Sequence, residues 1–204
     1  MKQLSSLHHK QQSDEQLMVQ IMDHHPRSAE KANAALVELH ARYSKKLLGY
    51  FIKMLNKDVD LAQDFVQELF LKIMEKKHLF DPEKKFYSWV FTIASNMCKT
   101  AYRHHGKLVE LNTETSRLGT LDENTFEKKQ FLSALQKSID ELEHYHKTVF
   151  VLRYLEHFSL NEIAEITESS LGTVKSRLFY ATRKITERLK HYDPSFETQL
   201  FKLN

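Results

Sequence analysis

Cysteine, glycine and proline are all scarce in this chain of 204 residues, and each shortage excludes something. A single cysteine, Cys98, leaves no pair for an internal disulfide and suits a reducing compartment. Four glycines and three prolines provide few of the tight turns that an all-β fold requires. Alternating apolar–polar runs are rare as well, so the expected fold class is all-α. No apolar stretch approaches the ~20 residues that span a bilayer. Met1–Gln16 is polar and lacks the apolar centre of a secretion signal, which makes the expected location cytoplasmic. The net charge of +3 is too small to argue for nucleic acid by itself. Any such affinity must come from how the charge is distributed.

Catalytic signatures are missing too. No P-loop, G-x-G-x-x-G or G-x-S-x-G occurs, so no nucleotide cofactor, small-molecule substrate or enzymatic activity is expected. His8-His9, His24-His25 and His104-His105 are adjacent pairs, whose members point apart on a helix, and no Cys/His spacing builds a tetrahedral site. They read as surface histidines, with no metal expected, and Cys98 reads as a small core residue.

What is present is helical periodicity, clearest in Ser159–Lys190. Ser159 and Glu162 form the S-x-x-E capping box that opens a helix, with Leu160, Ile163, Ala164 and Ile166 as its apolar face. Thr167–Ser170 interrupts the pattern with small polar residues that can cap a second helix. From there Leu171, Val174, Leu178, Ala181, Ile185 and Leu189 recur at helical spacing. The opposite face carries Lys175, Ser176, Arg177, Tyr180, Arg183, Lys184, Arg188 and Lys190. Thr173–Lys190 holds six Lys/Arg against one acid, Glu187. A helix-turn-helix lays its second helix in the major groove, where Lys and Arg reach guanine O6 and N7 and phosphate. An ordinary solvated helix with a basic stripe shares the charge pattern, but not the capping box and short turn.

The first half shows three long helical patterns. Ala29–Asn56 carries Ala32, Leu36, Leu39, Tyr43, Leu47, Tyr50 and Met54. Asp58–Lys76 turns Leu61, Phe65, Leu69, Phe70 and Ile73 inward and leaves Asp58, Asp60, Asp64, Gln67 and Glu68 outward. After a break at Asp81-Pro82, Phe86–His105 follows, with Phe86, Trp89, Val90 and Ile93 at core spacing. Tyr87, Phe91 and Asn96 fall off that stripe. Aromatic faces can stack unpaired bases, an amide can read a flipped base, and Lys84, Lys85, Lys99, Arg103 and Lys107 supply backbone charge.

Three segments carry a resemblance. A-Q-D-F-V-Q-E-L-F (Ala62–Phe70), F-Y-S-W-V-F-T-I-A-S-N (Phe86–Asn96) and I-A-E-I…L-G-T-V-K-S-R-L (Ile163–Leu178) are similar to motifs of the bacterial sigma factors. The closest group is the small extracytoplasmic-function (ECF) branch of the sigma-70 family. The resemblance implies an alternative sigma factor with two helical domains joined by a flexible linker, the second ending in the helix-turn-helix. It places domain 2 at residues 1–107, a linker at 108–126, domain 4 at 127–192 and a tail at 193–204. It implies core RNA polymerase as partner, through the β′ coiled coil at Asp64, Gln67 and Glu68 and through the β flap. Promoter DNA would be the other partner, and an anti-sigma factor is common in the family. The −35 duplex would meet Thr173, Lys175, Ser176, Arg177, Phe179, Tyr180 and Arg183, with Lys175 and Arg177 foremost. The opened −10 element would meet Lys84, Lys85, Tyr87, Trp89, Phe91, Asn96, Lys99 and Arg103, with Trp89 chiefly a packing residue.

The chain departs from the family's pattern at Thr92 and Ser95, where a basic residue is frequent, and at Thr167–Ser170, where the turn usually holds glycine. Gly106–Phe126 lacks a sustained period and reads as the linker. Phe131–Glu143 and Tyr145–Leu155 are expected as the helices supporting the helix-turn-helix. The alternative function is a dimeric helix-turn-helix regulator, which would bind a two-fold symmetric duplex without polymerase. An anti-sigma-type adaptor would not need the basic helix.

Overall fold

The computed structural model describes residues 12–23, 25–104 and 123–190. Every regular element among them is helical. They form two compact units, the principal break falling after Ala101.

The first unit is built on α1 (Asp14–Met22), α2 (Ala29–Met54), α3 (Val59–Lys76) and α4 (Phe86–His104). The long α2 is the spine, with α1 and α3 packed on it. Leu17, Met18 and Ile21 of α1, Leu39, Leu47, Tyr50 and Phe51 of α2, Leu69 and Ile73 of α3, and Phe86 and Phe91 of α4 are fully buried. Aromatic edges join the layers: Tyr50 meets Phe91 at 5.2 Å between centroids, and Tyr43 meets Phe86 at 5.2 Å. α3 opens on Asp58, whose carboxylate accepts the Leu61 N–H at 2.9 Å.

α1 is an element the sequence reading does not contain. Its signal is present, in a Ser13–Gln16 capping box followed by Leu17, Met18 and Ile21 on one face. Polar attachments reinforce that packing. Arg42 bridges Asp14 at 2.7 Å and Glu38 at 2.9 Å, the Tyr43 hydroxyl donates to Asp14, and Lys77 donates to the Ile21 carbonyl at 2.9 Å. Burial and the bond to Asp14 push the Tyr43 hydroxyl far above its ordinary pKa, so it stays a donor.

The second unit comprises α5 (Glu123–Asp140), α6 (His144–Tyr154), α7 (Leu160–Ile166) and α8 (Leu171–Leu189). α8 packs on α5 and α6. Val149, Leu152, Phe158, Ile163, Val174, Ala181, Ile185 and Leu189 are buried. Lys147 and Asp140 form a buried ion pair at 3.6 Å beside the α5–α6 corner. The expected linker end requires correction, because α5 already begins at Glu123 and includes Phe126. The rest of the expected linker, the tail at 193–204, His8, His9, His24 and His105 lie outside the described residues.

Candidate nucleic-acid interface

The helix-turn-helix is held by local hydrogen bonds. The Ser159 N–H donates to Glu162 Oε2 at 2.9 Å and the Glu162 N–H donates to Ser159 Oγ at 3.3 Å, completing the capping box of α7. At the other end Glu168 adopts φ 51°. This left-handed conformation lets the Ser169 N–H reach back to the Ala164 carbonyl at 2.9 Å. Glycine suits that position better than glutamate, so the turn exists here with some backbone strain. Ser170 then caps α8, its Oγ accepting the Thr173 N–H at 3.1 Å.

Val174, Leu178, Ala181, Ile185 and Leu189 face inward as their spacing predicts, whereas Leu171 is exposed. Lys175, Ser176, Phe179, Tyr180 and Arg183 form one exposed stripe, with Thr173 half-buried at its start. Phe179 and Tyr180 are 50% and 57% exposed, an unusual pair of large rings to leave in water. Arg177 behaves differently. Its guanidinium donates to Ser169 Oγ at 3.1 Å and lies 4.8 Å from the centre of the Tyr145 ring. It therefore braces the turn against α6, and guanine contact would require it to leave both partners. Tyr145 and Ser169 are the residues that sequence reasoning misses. Further along, Lys184 donates to the Glu141 carbonyl at 3.0 Å, Arg188 pairs with the Glu141 carboxylate, and Arg183 pairs with Glu187 at 3.0 Å.

In the first unit, α4 buries more than half of its circumference: Phe86, Val90, Phe91, Ile93, Ala94, Ser95, Met97 and Cys98. Phe91, expected on the nucleic-acid face, is fully buried against Tyr50 and Tyr87 and belongs to the core. The reason is that α4 presents a wide packing arc and not a single stripe. Tyr87 is half-buried on the same side, with Phe91 at 4.9 Å, Tyr43 at 6.1 Å and Lys46 Nζ 4.5 Å from its ring centre.

The accessible side holds Lys85, Trp89, Thr92, Asn96, Lys99 and Arg103, which follow one another by alternating steps of four and three residues. Lys84 is exposed in the turn before the helix. Trp89 is half-buried, set edge-on to Phe80 at 5.2 Å, yet it shares this side with Asn96. Of these two rings, Trp89 and not Phe91 lies on the accessible side. Ser95 is 5% exposed and belongs to the packed arc of α4.

α4 also starts in an unusual way. The Phe86 N–H donates to Glu15 Oε1, 3.1 Å away on α1. Burial alone would raise the Glu15 pKa, but bonds from the Phe86 and Glu15 amides and the Ser13 hydroxyl outweigh it and hold the carboxyl below its ordinary value.

On α3, Asp64, Gln67 and Glu68 are exposed together on one face. Leu71, 65% exposed, prolongs that face by one turn, and Lys72 pairs with Glu68 at 3.0 Å. The face is acidic with an apolar end, which complements a basic amphipathic helix. Among the described residues no group of His, Cys, Asp and Glu is arranged to hold a metal ion, and no helix is long and apolar enough to cross a membrane.

Two family models match the chain, sigma-70 region 2 over residues 39–108 and sigma-70 region 4 over residues 132–185. The chain is similar to the ECF RNA polymerase sigma-E factor of Haemophilus influenzae, with 31% identity over 164 residues, covering 74% of this chain and 86% of that protein. It is 28% identical over 160 residues to the ECF RNA polymerase sigma factor SigW of Bacillus subtilis, covering 72% and 85%. Among solved structures, CnrH in complex with the cytosolic domain of CnrY superposes with a TM-score of 0.62 at 22% identity, covering 88% of this chain and 99% of that one. The sigma factor RpoE of Bartonella quintana, solved with the anti-sigma factor NepR, gives 0.60 at 23% identity, covering 75% and 95%. At these identities the two structures speak to the fold alone.

Proposed function

This chain belongs to the ECF sigma factors of the sigma-70 family, and from that premise we propose how its two units divide the work. It is an alternative sigma factor that directs transcription initiation. In our reading residues 1–107 serve as domain 2, 108–122 as the tether, 123–192 as domain 4, since α5 begins at Glu123, and 193–204 as a tail. The protein acts in the cytoplasm as a subunit of core RNA polymerase and has no chemistry of its own.

The exposed Lys175–Arg183 stripe of α8 reads the −35 duplex. Lys175 leads, since Arg177 is engaged with Ser169 and Tyr145. The Lys85–Trp89–Asn96–Lys99–Arg103 side of α4 holds the opened −10 strand, with Trp89 available to stack a base and Lys84 near the backbone. Asp64, Gln67 and Glu68, with Leu71, dock on the β′ coiled coil, and the second unit meets the β flap. An anti-sigma factor is a further partner, on the model of the RpoE relative that was solved with one. The observation that carries the reading is the pairing of a capped helix-turn-helix in one unit with an aromatic, amide-bearing basic helix side in the other.

Run-off transcription from a genomic fragment library, with bacterial core polymerase and with or without the purified chain, tests this proposal. Transcripts that depend on the chain should share two upstream elements. Lys175→Ala should relax selectivity at one −35 position by about 1–3 kcal/mol. If no transcript depends on the chain while it alone protects a palindromic duplex, the dimeric regulator is the correct function.

A further inference from the structure

We infer that Glu15 is a positioning residue for promoter opening, a carboxylate cap that α1 lends to the first turn of α4. The inference rests on the reading of α4 as the −10 helix. A helix leaves its first N–H groups without intrahelical partners, and a Ser, Thr, Asp or Asn just before it ordinarily accepts one. α8 follows that rule with Ser170. α4 does not: the residue before it is Lys85, whose ammonium only donates, and Lys84 adds a second positive charge at the positive end of the dipole. The nearest local acid with a cap-like role, Asp81, is used by its own turn. Its carboxylate takes the Glu83 N–H at 3.0 Å and its carbonyl takes the Lys84 N–H at 2.9 Å.

The acceptor comes instead from 71 residues earlier in the chain, Glu15 Oε1 at 3.1 Å from the Phe86 nitrogen. Glu15 is itself firmly placed. It sits in the first turn of α1, between the Asp14 that binds Arg42 and Tyr43 and the fully buried Leu17 and Met18. The direction in which α4 leaves the preceding turn therefore depends on α1, and so does the presentation of Lys85 and Trp89. Loss of the Glu15 carboxylate would disturb that presentation without removing any group that touches DNA.

The test uses full-length wild type, Glu15→Ala, Glu15→Gln and Glu15→Ala/Lys85→Ser. The first three are assembled with bacterial core polymerase on a promoter recovered by run-off. Permanganate reactivity reports unpaired thymines, a binding titration reports affinity for core, and hydrogen exchange on the free chains reports the amides of Phe86–Trp89. Glu15→Ala should lower the melted fraction by about three- to tenfold, in the range that losing one cap produces, with unchanged affinity for core. Glu15→Gln keeps an acceptor oxygen and should recover most of the melting. The Phe86 amide should exchange faster in Glu15→Ala, and the Ser88 amide, the third-position donor that Ser at position 85 would cap, should exchange more slowly in the double variant than in Glu15→Ala. Equal melting by wild type and Glu15→Ala, equal loss in the Ala and Gln variants, or unchanged Phe86 exchange would overturn the inference. Should Glu15→Ala fail to fold, restored folding in the double variant supports the cap and continued failure overturns it. A wild-type holoenzyme that opens no promoter would instead bring down the parent reading and, with it, the positioning role.

Discussion

α4 and α8 are helices of the same length, 19 residues, each with one accessible side, but they are secured in opposite ways. α8 is closed by neighbours in sequence: Ser170 at its start, and Thr182 and Thr186 bonding back to their own helix at 2.9 Å. α4 takes its first acceptor from α1 and buries a wide arc of its circumference in its unit. A locally closed helix can be recognised from a short stretch of chain and repaired or damaged there. A helix closed from a distance inherits the stability of whatever closes it.

The sole tryptophan, Trp89, lies in the first unit, so its fluorescence follows that unit while far-UV circular dichroism follows both. Phe91→Ala should show the largest effect, destabilising the first unit by about 3–5 kcal/mol in the fluorescence-detected denaturant transition. Trp89→Ala, followed by circular dichroism, should cost less stability than Phe91→Ala while impairing promoter opening more. The reverse pattern would restore Phe91 to the DNA face. Ser170→Ala should destabilise the second unit by about 1 kcal/mol, visible by circular dichroism with the Trp89 transition unmoved. If both probes shift together, the two helices are not independently secured. Glu168→Gly should act in the opposite direction, stabilising the second unit by roughly 0.5 kcal/mol as left-handed strain is relieved against the added freedom of the unfolded chain.

The smallest effect is electrostatic. The Glu15 carboxyl is held below its ordinary value of 4.5, so its contribution is present above that pH and is lost as the pH falls through the lower folded value. An acid titration of Trp89 fluorescence should therefore be steeper below pH 4.5 for wild type than for Glu15→Gln. Coincident curves would mean that the carboxylate is not closing α4.

The same contrast explains what could be read from the chain alone. The helix-turn-helix was legible because Ser159, Glu162 and Ser170 act within three residues of their partners. The extents of α2, α3 and α4 followed from long apolar periods. α1 did not stand out because nine residues hold too few periods, although its Ser13–Gln16 box was visible. Phe91 could not be assigned to the core because one-stripe reasoning does not apply to a helix packed over a wide arc. The bracing of Arg177 was out of reach for another reason. A sequence shows that a guanidinium exists, but Tyr145, on a different helix, decides where it points.

The engagement of the α8 cations has a consequence for ionic strength. Six Lys/Arg lie between Thr173 and Lys190, and a count of formal charge would have nearly all of them exchanging small ions for phosphates. Four of them already have partners within the protein: Arg177 with Ser169 and Tyr145, Arg183 with Glu187, and Lys184 and Arg188 with Glu141. A phosphate approaching any of these replaces a protein acceptor or ring as well as solvent, so fewer condensed counterions return to bulk than the charge count suggests. Each neutralised phosphate contributes about 0.9 to the slope of log affinity against log salt. Only Arg183 and Arg188 are matched by a carboxylate, so for the free chain on a −35 duplex that slope should lie nearer to about 3.6 than to about 5.4. A shallower salt dependence than the charge count suggests would be the thermodynamic signature of a basic helix that has neutralised part of its own charge.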